Sequence, residues 1–124
     1  MNYFTPETDP LLFGCSCGRP ECDAPKPHPT LIQMLNIMRG LYGVAISVNS
    51  GPRCAHHNGE VGGEADSAHL TGEAADLACH GGEARFAMVE AARHAGFKRI
   101  GVGFTLVHVD MADRPAALWP YEHK

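Results

Sequence analysis

The run Ser67-Ala68-His69-Leu70-Thr71-Gly72-Glu73-Ala74-Ala75-Asp76 is followed further along by His108-Val109-Asp110. Imidazole nitrogen and carboxylate oxygen are zinc ligands, and a catalytic zinc takes three protein ligands while keeping a fourth position for water. His69, Asp76 and His108 are the candidate set, and the chemistry such a centre performs is hydrolysis. Any one of these histidines taken alone reads better as an ordinary loop or core residue. The weight rests on the three together.

Three elements must position them. His69 and Asp76 are too far apart for one helical turn and too irregularly spaced for a single strand, so a loop ligand is expected ahead of a strand ligand. Gly72 permits the bend between them. Ala74–Cys79 reads as the Asp76 strand. Leu106–Asp110 reads as a neighbouring strand whose period of two puts Leu106, His108 and Asp110 on one face.

Upstream, Thr30 is the expected cap of a helix with apolar positions Leu31, Met34, Leu35, Met38 and Leu41, ended by Gly43. Val44–Val48 alternates as a half-buried strand, and the glycine-rich stretch 59–66 reads as a loop over the site. Glu83–Ala95 reads as a helix with Phe86, Val89 and Ala92 inward, stopped by Gly96, and Gly101-Val102-Gly103 as a tight turn or bulge. Residues 1–28, rich in Pro, Gly and Cys, read as loop and short turns ahead of a core spanning 29–121. The pattern predicts one small α+β domain over residues 1–124, its sheet mainly antiparallel and flanked by helices.

A hydrophobic content of 44% suits a globular chain of 124 residues. The net charge of −4 and the scatter of the basic residues argue against nucleic acid as a partner. No apolar run is long enough to span a bilayer, so no membrane partner is expected, and a monomer is. The N-terminus lacks a basic-then-apolar leader, which points to cytoplasmic synthesis.

Ser-x-His-x-x-Gly-x-Ala-x-Asp followed by His-Val-Asp resembles the zinc D-Ala-D-Ala carboxypeptidase family, whose fold is shared with the hedgehog signalling domain and many phage endolysins. Ser50-Gly51-Pro52-Arg53-Cys54-Ala55-His56-His57-Asn58 is similar to that family's Ser-Gly-Tyr-Arg element, with Pro52 in the aromatic position. Val61-Gly62-Gly63, Gly101-Val102-Gly103, Arg114-Pro115 and Trp119 extend the likeness over about residues 29–121. The resemblance implies that His69, Asp76 and His108 bind catalytic Zn2+ and that Arg53 holds a substrate carboxylate. Ser67 is implied either as a hydrogen-bonding residue beside the metal and substrate or as a loop cap.

Relatives carry a Glu, Asp or His two or three residues before the last ligand, where this chain has Thr105 and Leu106. Asp110 is the best local substitute for the base, and orienting a ligand is its alternative role. His56 and His57 are further proton-handling candidates near Arg53, whereas His28, His80, His94 and His123 read as surface residues. Cys15, Cys17, Cys22 and Cys54 offer four thiolates for a second, structural Zn2+, with His28 as an alternative fourth ligand and free thiols as the other reading. Cys79 reads as buried beside the Asp76 strand.

The implied activity is zinc-dependent hydrolysis of amide bonds in peptidoglycan stem peptides or crosslinks, with stem peptides as the partner. An enzyme of the endolysin type would act on the wall after release from the cell. A cytoplasmic D-Ala-D-Ala dipeptidase or carboxypeptidase, or a non-catalytic zinc-binding module, is the competing expectation.

Overall fold

The computed structural model describes residues 2–121. Short helix α1 (Pro10–Phe13) precedes α2 (Pro29–Tyr42), β1 (Val48–Ser50) and α3 (Ala55–Glu60). A 3-10 turn (Ala68–Thr71) leads into β2 (Ala74–Ala78), α4 (Gly82–His94), β3 (Arg99–Val102), β4 (Leu106–Asp110) and β5 (Ala117–Pro120). The strands form one sheet in the order β1-β2-β4-β3-β5. Every pairing is antiparallel except β3 with β5. The α+β architecture is the one the sequence predicts.

Pro29 opens α2 at a position where its missing N–H is not needed, and the His28 imidazole accepts the Thr30 N–H at 3.1 Å. The cap is therefore His28 rather than Thr30, because the proline fixes the first helical residue. Leu31, Leu35 and Met38 are buried, while Leu41, at the edge of that stripe, is 55% exposed. Gly43 closes the helix at φ 88°, as expected of a left-handed terminator.

In α4 the buried stripe is Met88, Ala91 and Ala92. Phe86, expected inward, is 72% exposed. It stands two residues, about 200°, from Met88, on the far side of the helix. α2 and α4 pack on each other, and their buried residues share one hydrophobic cluster with Leu77, Ile100, Val107 and Val109. Strand alternation then sends Asp76, His108 and Asp110 to the opposite face.

Four local expectations are corrected. The first strand begins at Val48 instead of Val44, since β2 ends at Ala78 and the last ladder contact upstream is the Ala78 N–H to the Ser47 carbonyl. Gly101 and Val102 lie within β3, opposite His108 and Val107, and the turn begins only at Gly103. The space above Gly101 is taken by the Tyr121 side chain, which explains a glycine inside a strand. α3 runs through residues 55–58, to which the sequence reading assigns no element, and into the start of the 59–66 stretch expected to be loop. α1 is a single turn held by buried Leu12 within the segment expected to be loop and short turns. β5 has no counterpart in the sequence reading. Pro120 is tolerated because β5 lies at the sheet edge.

Candidate metal centre

Asp76 and His108 are register partners on adjacent strands β2 and β4, so their side chains start from directly opposed positions on one face. His69 enters from the 3-10 turn, whose N-cap Ser67 accepts the His69 N–H at 3.2 Å. Gly72 ends that turn at φ 73°, pressed against the Lys26–Pro27 backbone, so both its conformation and its missing side chain are required. All three side chains are almost fully buried. One ligand atom from each lies within 4.8 Å of the other two.

The hydrogen bonds decide which nitrogens face the centre. His69 Nδ1 lies 2.7 Å from the Gly51 carbonyl oxygen, which can only accept, so Nδ1 carries a proton and Nε2 is the atom turned to the centre. His108 Nε2 donates to Asp110 Oδ2 at 2.8 Å, leaving Nδ1 as the inward atom. His69 Nε2 and His108 Nδ1 then point at Asp76 Oδ1 from 3.2 and 2.8 Å. With both imidazoles neutral, three acceptors would converge on one small volume. Positive charge must therefore lie between them, either as a proton on each imidazole hydrogen-bonded to Asp76 or as a metal ion. The donor set, two imidazoles and a carboxylate with their far atoms already braced, fits zinc.

Charge around the centre is arranged to keep Asp76 ionised. Burial alone would raise its pKa, but hydrogen bonds from His108 and His69, together with their charges, hold it below the ordinary carboxylate range. Arg53 Nη2 adds an ion pair to Asp76 Oδ2 at 3.3 Å. Arg53 itself is 2% exposed and also donates to Ser50 Oγ and Asn58 Oδ1. The Tyr121 hydroxyl donates to Asp76 Oδ2 at 3.3 Å, and its ring stacks on His108 with centroids 4.6 Å apart. Burial, and then the neighbouring Asp76 charge, push the Tyr121 hydroxyl up to about 12, so it stays a neutral donor.

Asp110 is engaged on both oxygens, Oδ2 by His108 and Oδ1 by Arg99 at 2.8 Å and the Ala112 N–H at 3.1 Å. Burial opposes its charge, but the His108 hydrogen bond and charge outweigh that and hold it lowered. His108 is shifted the other way: burial works against its protonated form, while hydrogen bonds to Asp110 and Asp76 raise it above the ordinary imidazole value. The alternation read from the sequence is what joins these two residues.

The centre opens on a cleft of about 580 Å³ whose wall includes Arg53, Ser67, Arg99, Arg114 and Trp119. Glu64 and Asp66, in the expected covering loop, line it as well. His56 and His57 face elsewhere. His56 pairs with Glu60, and His57 Nε2 meets Ser16 Oγ at 3.1 Å. His80 and His94 are exposed, as is His28 despite its capping role, and His123 lies outside the described residues. Cys79 is buried, as expected. Tyr121, Asn58, Arg99 and Glu64 were not singled out by sequence reasoning, since a single aromatic, amide or charged residue carries no spacing signal.

A family model described as Peptidase M15 matches residues 2–111. The chain belongs to the Peptidase M15 family. Peptidases of this family are zinc-dependent, so the chain is a metallopeptidase acting on peptide substrate, with His69, Asp76 and His108 as its candidate metal site. Among curated proteins, none matches the chain. Among the described residues, no helix is long and apolar enough to cross a membrane.

Proposed function

We propose that this M15 peptidase hydrolyses amide bonds in peptidoglycan stem peptides or their crosslinks, in the manner of an endolysin. The observation that carries the proposal is the convergence of His69 Nε2, Asp76 Oδ1 and His108 Nδ1 beside a cleft that His108 lines and arginines wall. Stem peptides carry free carboxylates, which guanidinium groups bind well.

His69, Asp76 and His108 would hold the zinc, which when bound supplies Lewis acidity toward the scissile carbonyl and lowers the pKa of the attacking water. Arg53 braces Asp76 and borders the cleft, where it helps fix a substrate carboxylate. Arg114, with its side chain 38% exposed, adds the more accessible charge. Ser67 orders the 3-10 turn that delivers His69 and faces the substrate side. The engagement of both Asp110 oxygens supports the orienting role over the base role: it fixes the His108 ring. Glu64 and Asp66, exposed on the cleft wall, are then the carboxylates available to take and return a proton.

Mass spectrometry of sacculi digested with the zinc-loaded protein, with and without chelator, tests this reading. Chelator-sensitive loss of a terminal residue or of crosslinks is expected. Intact sacculi together with cleavage of free D-Ala-D-Ala would move the assignment to a dipeptidase. Inertness toward every wall substrate by a protein with full zinc content would leave a binding module.

A further inference from the structure

At the N-terminus of α3, where Cys54 is the cap, Cys15, Cys17, Cys22 and Cys54 bring their sulfur atoms within 4.8 Å of one another. Cys15 Sγ and Cys54 Sγ are 3.8 Å apart. Four sulfurs about 2.3 Å from a tetrahedral zinc stand about 3.8 Å from each other, so the cluster is already near the size of a tetrathiolate site. We infer that these four cysteines bind a structural zinc ion that ties the segment 14–28 to the N-terminus of α3.

Two further observations agree. The Arg19 N–H donates to Cys17 Sγ and the His57 N–H to Cys54 Sγ, each at 3.4 Å, so two sulfurs receive the backbone donors that stabilise a thiolate. Residues 14–28 contribute no member to the hydrophobic cluster, while residues on either side of them do. Their ends are fixed by buried Leu12 and by the His28 N–H bond to the Gly72 carbonyl at 2.8 Å. A stretch with so little apolar content needs a cross-link to hold one conformation, and a metal supplies it.

His28 does not serve as the fourth ligand, since its Nδ1 caps α2 and Cys54 completes the set.

The inference does not rest on the peptidase assignment, and elemental analysis separates the two. The wild-type protein should carry two zinc ions per chain. His69→Ala and Cys22→Ser should each carry one, and a Cys17→Ser variant should repeat the second result if Cys22→Ser is poorly soluble. Cobalt reconstitution should give an intense sulfur-to-metal charge-transfer band that His69→Ala keeps and Cys22→Ser loses or weakens. Two zinc ions retained in both cysteine variants, iron in place of zinc, or ready modification of all four thiols by a thiol reagent in the chelator-free native protein would each overturn it.

Discussion

The histidine–aspartate centre and the cysteine cluster solve the same problem in opposite ways. The first sits on β2, β4 and a 3-10 turn, and the atoms that do not face its centre are engaged by Gly51, Asp110, Arg53 or Tyr121. Packing and hydrogen bonds build it whether or not the ion is bound. The second draws three of its four ligands from a segment outside the hydrophobic cluster. There the ion would create the order it then occupies. The difference separates a preorganised reactive centre from a folding cross-link.

The largest expected effect tests the first half of that contrast. His69→Ala should reduce peptidase activity to background and remove one metal ion, while circular dichroism shows an intact fold. Activity that survives with full metal content would mean the hydrolytic centre lies elsewhere. Cys22→Ser tests the second half. It should lower the unfolding free energy by on the order of 2–5 kcal/mol, the range for losing a native cross-link in a small domain. Loss of hydrogen-exchange protection should be confined to residues 14–28 and the start of α3. Loss spread evenly through the sheet would break the contrast between the two regions.

Asp110→Asn sharpens the contrast within the centre itself. It should weaken zinc affinity or activity by roughly 10–100-fold, as expected of a residue that holds a ligand ring. If Asp110 were instead the base, turnover would collapse with metal affinity unchanged, which a competition titration against a chelator distinguishes. At the small end, Phe86→Ser on the exposed face of α4 should change stability by no more than about 0.5 kcal/mol in urea unfolding. A larger loss would mean that this ring is covered in solution.

Much of the centre was legible beforehand because its signals are local. Ligand types, the glycine that permits the bend at 72 and the two-residue alternation joining His108 to Asp110 are all set by short-range backbone geometry. The misread elements depended on partners far along the chain. The first strand starts at Val48 because β2 supplies no earlier neighbour, and Gly101 lies in a strand because β4 pairs with it while Tyr121 covers it. The orientation of Phe86 was lost for a related reason: a short apolar pattern fits more than one helical face until the packing partner is known.

By itself, then, the sequence determined the α+β class, the three candidate ligands and the four candidate cysteines, and the face on which Asp110 accompanies His108. Tertiary structure alone decided which nitrogen of each imidazole turns inward, that Arg53 braces Asp76, that Tyr121 lies against His108, and that Cys54 joins three thiols from another segment. Those facts depend on contacts between residues distant in the chain, whose distances are fixed only when the sheet and helices pack.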